Sequence, residues 1–395
     1  MQQHRTQVVI VGAGPAGMLL GLLLEKAGVD CIVLERRSRE HVLSRIRAGL
    51  LEPGAVEFLR DSGVGERMDQ IGRPRDGTRI AWQGRPSFMI NVKKWTGLEM
   101  MAYGQTFLTE DLYSMREATG TPYFDQITDL EIEGIDGTRP EVSFTTAGHS
   151  VRVQCDFVIG CDGAQGPCSQ LIPESIRQVY ERKFPFGWLG IMVEAPPIDD
   201  FTYIRHETGF ALAAQRTPML SRYYVQSRLD EGPEAWSDDR FWDTFLGRCP
   251  PEIAAQVTTG PSIEKSLAAL RSRVVEPMRW GRLFLAGDAA HVFPPTGAKG
   301  LNMALSDIQL LSAALIAHFS EKDDRLLDSY SADALSRVWA AQHLSWRMTK
   351  LLHIFPTDDP YDRKIRQAEY DLILKSEEVQ RALAFEYAGL PNLRG

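Results

Sequence analysis

The sequence predicts a mixed α/β fold: a dinucleotide-type βαβ unit at the N-terminus, a β-sheet layer inserted in the middle of the chain, and helices at the far end. Three observations carry this. A strand, a glycine turn, a helix, a second strand and an acid follow one another over residues 7–35; four central segments alternate apolar and polar residues; and helical spacing returns from Asn302. Residues 7–11 (QVVIV) are a short β-branched run leading into Gly12-Ala13-Gly14-Pro15-Ala16-Gly17 and an apolar helical stretch over 18–27. After Gly28-Val29-Asp30 comes a second strand, Cys31-Ile32-Val33-Leu34, which ends in Glu35. The glycines permit a tight turn and close backbone approach, and the free N–H groups and dipole of the helix start suit a pyrophosphate. A carboxylate 18 residues after Gly17 suits ribose hydroxyls. The competing reading is a Gly-rich turn closing an ordinary α/β layer; the flanking strand, helix and acid favour the Rossmann-like one.

At 395 residues, 44% hydrophobic and 24% charged, the chain has room for two or three cores or for one interlocked enzyme. Its 44 Lys and Arg against 52 Asp and Glu leave a net charge of -8, which argues against nucleic acid or an anionic membrane surface as a partner. Five cysteines (Cys31, Cys155, Cys161, Cys168, Cys249) form no CxxC pair and lack zinc spacing, so no metal site is expected and the thiols read as reduced and cytoplasmic. The uncharged run 8–24 holds four glycines and a proline and is shorter than the ~20 residues that cross a bilayer. It is read as a phosphate-binding turn, not as a signal or membrane segment.

Segments 78–92, 140–159, 186–194 and 202–229 are expected as strands of the second, sheet-rich layer. Helical spacing runs from Asn302 to about residue 353, and Pro356 and Pro360 precede a last helix near 361–384. Two further strands each deliver an Asp beside a Gly: 156–160 into Cys161-Asp162-Gly163, and 282–286 into Gly287-Asp288. The rigid Gly/Pro loop 294–302 then opens a helix and suits backbone contacts to a flat ligand. Taken singly, these Asp-Gly pairs also read as ordinary turns.

The GxGxxG turn, Asp162-Gly163 and Gly287-Asp288 together are similar to the fingerprint of the single-component FAD-dependent aromatic hydroxylases. More narrowly, Arg45-Ile46-Arg47-Ala48-Gly49, Phe186-Gly187-Trp188-Leu189-Gly190, Ser221-Arg222-Tyr223-Tyr224-Val225-Gln226 and residues 293–302 resemble the branch that hydroxylates 4-hydroxybenzoate at position 3. The resemblance runs over residues 7–391. It implies a Rossmann-like FAD-binding domain (1–75, 98–180 and 270–350) interleaved with a β-sheet substrate domain (76–97 and 181–269), then a helical C-terminal region (351–395). It further implies NADPH or NADH as electron donor, O₂ as co-substrate, an aromatic acid as substrate, and a homodimer.

Carried over residue by residue, the resemblance places FAD against Gly12, Gly14, Ala16, Gly17, Glu35, Arg45, Gln105, Asp162, Asp288, Leu301 and Asn302, and the nicotinamide nucleotide against Arg47 and Arg271. Arg216, Tyr224, Arg222 and position 214 would bind the aromatic acid. Arg216 offers a planar fork that matches a carboxylate, although an arginine on an alternating strand is otherwise a solvated one. Tyr203 and Tyr387 would relay the proton of the substrate's 4-hydroxyl, with the Pro295 carbonyl as a further acceptor, because a phenolate ring is a better nucleophile toward activated oxygen. The competing reading makes both tyrosines core residues with satisfied hydroxyls. Arg36, Arg37 and Arg39 read equally as a 2′-phosphate site and as a solvated helix start.

The chain departs from the family pattern at several positions. Ala214 stands in place of a carboxylate-binding serine, and Arg75 stands where the relay ends in a histidine; arginine stays protonated and cannot exchange that proton. Gln165 and Ser169 replace a His and an Arg near the nicotinamide, and His41 replaces a tyrosine, so the choice between NADPH and NADH stays open. These changes keep 4-aminobenzoate as an alternative substrate. A flavin-free dehydrogenase and a non-catalytic flavin redox sensor are the alternatives of other classes.

Overall fold

In the computed structural model, which describes residues 2–44, 49–120 and 122–389, the glycine-bounded apolar runs assemble first into a six-stranded sheet. Val8–Val11 lies between Cys31–Leu34 and Phe157–Gly160, parallel to both. Leu283–Leu285 continues the parallel set, Arg279–Trp280 closes that edge antiparallel, and Tyr123–Phe124 forms the other edge. Every residue of the three central strands is buried, so they read in sequence as unbroken apolar runs.

The helix Pro15–Lys26 starts directly after Gly14, with proline in its first turn. Two glycines let it sit there. Gly12 has φ +110°, and a Cβ on it would lie 2.2 Å from the Cys161 carbonyl oxygen; a Cβ on Gly17 would lie 1.9 Å from the Gly12 carbonyl oxygen. Helix, turn and neighbouring strand thus approach to distances that only glycine allows.

The segment expected over 140–159 forms strands but does not join the second layer. Glu141–Thr146 and His149–Gln154 pair with Gln2–Arg5 and Thr128–Glu133 in a separate four-stranded sheet. Val142, Phe144, Val151 and Val153 bury that sheet against the nucleotide-side core. The alternation is real; which core its apolar face meets is a tertiary matter.

The second layer is an eight-stranded sheet in the order His291–Val292, Ser262–Glu276, Gln178–Val193, Leu220–Ser227, Gly209–Thr217, Thr202–His206, Gly77–Trp82, Phe88–Asn91. Its longest pairing, Gln178–Val193 with Ser262–Glu276, includes a strand absent from the expected set, because charged and apolar residues of Ser262–Glu276 fall on both faces. On one face Leu189, Ile191, Ala211, Ala213 and Val225 pack under the helix Asp238–Arg248. On the other, Trp188, Tyr203, Phe210, Leu212 and Ala214 meet residues of the C-terminal helices. Ser262–Glu276 supplies Leu270 to this core and Val274 and Val275 to the nucleotide-side core, so one strand runs through both.

The helix Lys299–Glu321 is long and apolar enough to cross a membrane. Here Met303, Leu305, Ile308, Leu311 and Leu315 are buried in the nucleotide-side core, and the same helix buries Asn302 and Asp307 with hydrogen-bond partners. Arg325–Leu352 packs beside it. The expected last helix is two, Pro360–Lys375 and Glu377–Tyr387. Ser376 is extended between them, and its side chain accepts from the Val379 amide, capping the second. A short three-stranded sheet (Leu50–Leu51, Met100–Ala102, Arg73–Arg75) completes the chain.

Gly17→Ala is expected to lower stability by at least ~1–3 kcal/mol, the usual cost of forcing extra volume into a packed interior. Equilibrium denaturation of wild type and variant checks this.

Candidate functional site

A cavity of about 900 Å³ opens at the carboxyl ends of the parallel strands, where Val11, Glu35, Cys161 and Ala286 leave the sheet, and it extends to the second layer. This is where open α/β sheets bind ligands, since helix N-termini converge there. Of the expected site residues, Gly12, Gly14, Ala16, Glu35, Gln105, Asp162, Arg271, Asp288, Leu301, Tyr203, Ala214, Arg216, Tyr224 and Pro295 all line it. Arg45 and Arg47 lie outside the described residues.

At the nucleotide end, a Cβ on Gly14 would meet nothing within 4 Å, so the turn faces open room. The helix Pro15–Lys26 has no side-chain cap there. A second uncapped helix, Lys299–Glu321, starts at Ala298 and brings Gly300 and Leu301 to the same cavity. Two helix starts with free N–H groups make this end receptive to negative charge. Glu35 clamps the turn, its carboxylate accepting from the Ala13 and Arg37 amides, each at 2.9 Å. Asp162 Oδ2 accepts from the Cys168 amide at 2.8 Å while Oδ1 is buried without a partner. Burial pushes this carboxyl's pKa up, against the pull of that amide. An orphaned acceptor in the wall suits a sugar hydroxyl, and the set as a whole fits a dinucleotide.

The second end is aromatic with one cation. Leu212, Ala214 and Arg216 face the cavity from one strand, beside Tyr224 from the neighbouring strand and Trp188 from the strand beyond it. Arg216 is hydrogen-bonded to the Tyr224 hydroxyl and to the Gln215 carbonyl at 3.3 Å, and its Nε is buried without a partner. Among the described residues no carboxylate pairs with it, and burial lowers its pKa. Gly190 makes room for Tyr224: a Cβ there would lie 2.5 Å from the tyrosine ring. Tyr203 donates to the Tyr387 hydroxyl, which also accepts from Thr78 Oγ1 at 2.9 Å. Burial raises both tyrosine pKa values, that of Tyr387 to about 12, so both stay protonated at neutral pH. The Pro295 carbonyl already accepts from the Ala298 amide at 3.1 Å.

Four expected residues sit off the cavity wall. Gly17 serves helix packing. Asn302 is buried, accepting from the Glu52 amide at 2.9 Å and donating to the Leu50 and Ala298 carbonyls at 2.8 and 2.7 Å, so its side chain staples the chain instead of meeting a ligand. Arg222 is paired with Glu264 at 2.8 Å and Ser266 at 2.6 Å, its guanidinium 5.1 Å from the Tyr224 ring. That engagement makes it a support for Tyr224, not a direct partner for substrate. Tyr387 lies one layer behind Tyr203. In the basic cluster Arg36 and Arg37 line the cavity with His41, whereas Arg39 is paired with Glu117 and covers Tyr113. Gln165 lines the cavity, and Ser169 is buried, accepting from Arg273 at 3.2 Å.

Residues missed in the sequence surround the site. Lys299, buried, donates to Glu52 at 2.6 Å and to the Glu386 and Tyr387 carbonyls at 2.9 and 3.1 Å. Trp188 Nε1 donates to His353 Nε2 at 2.7 Å, and His353 is stacked between Phe186 and Phe210 with centroids 4.8 and 4.4 Å away. A lysine inside a Gly/Pro loop was the one available signal; Glu52, Thr78 and His353 carry none, because their partners are far away in the chain.

A family model described as FAD binding domain matches residues 5–345. The chain is 46% identical over 393 residues to p-hydroxybenzoate hydroxylase of Acinetobacter baylyi (strain ATCC 33305 / BD413 / ADP1), covering 99% of this chain and 97% of that protein. It is 25% identical over 407 residues to a 3-(3-hydroxy-phenyl)propionate/3-hydroxycinnamic acid hydroxylase of Mycobacterium avium (strain 104), covering 95% and 65% of the two chains. Among solved structures, p-nitrophenol 4-monooxygenase from Pseudomonas putida DLL-E4 superposes with a TM-score of 0.78 over all of both chains at 21% identity.

Burial lowers the His353 pKa to about 3, and the ring accepts the Trp188 proton in its neutral form. The unfolded chain binds a proton near the ordinary 6.5 that the folded chain refuses, so stability is complete above pH 6.5 and declines as pH falls toward 3. From this group alone, a loss of about 2 kcal/mol between pH 6.5 and 5 is expected. Denaturation curves across that range should show a slope that His353→Phe reduces.

Proposed function

Because the chain belongs to the FAD-dependent aromatic hydroxylases, enzymes that use NAD(P)H and O₂, we propose that it hydroxylates 4-hydroxybenzoate at position 3 to give 3,4-dihydroxybenzoate. The observation that carries the substrate reading is Arg216, a guanidinium on the aromatic wall of the cavity that no carboxylate among the described residues pairs with, and whose buried Nε has no partner. Leaving such a group unsatisfied is costly, and a benzoate carboxylate supplies the acceptor. The hydroxyl of Tyr224 lies at the same place, and Ala214 adds no donor, so the anion rests on those two side chains.

In this reading Gly12, Gly14, Ala16, Glu35, Gln105, Asp162, Asp288 and Leu301 hold FAD, and Arg271 meets the nicotinamide nucleotide. Bound FAD supplies the redox chemistry, taking hydride from NAD(P)H and activating O₂. The protein's share is to orient the ring and manage one proton. The substrate's 4-hydroxyl gives its proton to Tyr203 as Tyr203 passes its own to Tyr387. Tyr387 passes its own to the Thr78 hydroxyl once that has rotated to accept, and Thr78 gives its own to water, so that one proton leaves for each phenolate formed. With both phenols held protonated, transfer proceeds along the chain without a free tyrosinate. Trp188, Leu212 and Ala214 shield the ring from water. All five cysteines are free thiols, in keeping with the cytoplasm; a homodimer is carried over from the family resemblance.

A second reading, 4-aminobenzoate as substrate, is favoured by one observation: the relay runs to Thr78, a hydroxyl that does not ionise. An amine enriches the ring without losing a proton.

Turnover of the FAD-loaded enzyme with each acid decides between them, scoring NADPH and NADH oxidation against hydroxylated product. Coupled 3,4-dihydroxybenzoate formation is expected; uncoupled oxidation with the phenol beside coupled product from the amine sinks the first reading. Tyr203→Phe is expected to lower product formation by roughly 10²-fold or more, the scale of a lost acid–base group, with flavin reduction unaffected.

A further inference from the structure

Arg75 gives up the titratable terminus that the family resemblance places there, and its guanidinium is committed elsewhere. Nη1 donates to the Asp199 carbonyl at 2.9 Å and Nη2 donates to Gln215 Oε1. Asp199 lies just before the strand Thr202–His206, which carries Tyr203, and Gln215 immediately precedes Arg216. One side chain on the small three-stranded sheet therefore holds the approaches to both polar ends of the aromatic site.

The backbone at Arg216 explains why such a hold is needed. Where Gly209–Thr217 pairs with Leu220–Ser227, Gln215 faces Ser221 and Thr217 faces Leu220, so Arg216 is the extra residue of a β-bulge. A bulge leaves that residue unpaired and turns its side chain, which is how such features re-aim groups beside active sites. Gln215 bridges this bulge, its Nε2 donating to the Thr217 carbonyl at 3.3 Å while its Oε1 accepts from Arg75 Nη2. Among the described residues the fork of Arg216 itself is held by the Gln215 carbonyl and the Tyr224 hydroxyl, and its buried Nε has no partner.

We propose that Arg75 is a positioning residue for recognition of the substrate carboxylate: through Gln215 it pins the bulge that aims Arg216, and it plays no part in proton transfer. This rests on the reading of Arg216 as the carboxylate's partner. The position that would end a proton relay has become a brace for anion binding, which matches the loss of a carboxylate donor at Ala214 on the same strand.

The test measures dissociation constants on FAD-loaded enzyme, from the change in flavin absorbance, for 4-hydroxybenzoate and for phenol, which lacks the carboxylate. Arg75→Met and Gln215→Leu are each expected to weaken 4-hydroxybenzoate about tenfold, the scale of a hydrogen bond to a charged group, and to change phenol binding less than about twofold. The double variant should be no weaker than either single one, since both break one clamp. Because Gln215→Leu changes no charge, its effect separates aim from simple loss of positive field. The pH profile of product formation should keep its midpoint in Arg75→Met. Equal weakening of both ligands, multiplicative effects in the double variant, or a shifted pH profile with unchanged affinity would each overturn the proposal. Arg216→Ala runs alongside: if it retains wild-type affinity for 4-hydroxybenzoate, the carboxylate reading itself falls; if it loses affinity while the Arg75 and Gln215 variants keep theirs, only the positioning role falls.

Discussion

An ammonium taken out of water costs several kcal/mol unless charge and hydrogen bonds replace its hydration. Lys299 meets that demand with the Glu52 carboxylate and the carbonyls of Glu386 and Tyr387, three groups from two remote parts of the chain. The same helix start carries Asn302, which binds the Glu52 amide and the Leu50 carbonyl. Strand edge, helix N-terminus and C-terminal helix are thereby locked at one point, and each brings something to the cavity: Leu50 to its wall, Gly300 and Leu301 as free amides, and Tyr387 behind Tyr203. Removing the lysine would strand a buried carboxylate as well as release the helix end.

The two ends of the cavity solve one electrostatic problem, receiving negative charge, by different means. The nucleotide end relies on backbone: uncapped helix starts, a glycine turn and a carboxylate clamp leave donors pointing into open room. The aromatic end relies on side chains in an apolar wall, where one guanidinium without a carboxylate partner among the described residues suits an anion. A protein of net charge -8 can still present cations locally: Arg36, Arg37 and Arg216 stand on the cavity wall, with Arg271 there paired to Glu181 at 3.6 Å. Arg222, also near, is neutralised by Glu264 and turned to supporting Tyr224.

Much of the fold was legible because its signals are local. The βαβ turn, the buried strands Val8–Val11 and Cys31–Leu34, and the helical character of 302–353 follow from periodicity and glycine placement, whereas the break between Lys299–Glu321 and Arg325–Leu352 was not marked. Ser262–Glu276 was not, since its pairing with Gln178–Val193 comes from two cores meeting different parts of one strand. The strands within 140–159 were visible as strands, but alternation alone put them in the wrong layer, because it marks a buried face without naming what buries it; only the family resemblance grouped them with the nucleotide side. The site divides similarly: residues inside motifs, such as Gly14, Asp162 and Arg216, line the cavity, while Glu52, Thr78 and His353, which support it, carried no signal in the sequence.

By itself the sequence determined the chemistry available: a glycine turn that admits a pyrophosphate, an acid at the end of the second strand, and an arginine and tyrosines in motifs shared with aromatic hydroxylases. These are properties of residue type and short spacing. Only the tertiary structure decided which groups are spent and which are free. Asn302 is engaged on both its oxygen and its nitrogen, Arg222 is paired with Glu264 through Nη1 and with Ser266 through Nη2, Arg75 is drawn into bracing a bulge, and Arg216 has no carboxylate partner among the described residues. The reason is physical: a polar group's availability depends on what lies within about 3 Å of it in the fold, and those neighbours come from positions far away in the chain.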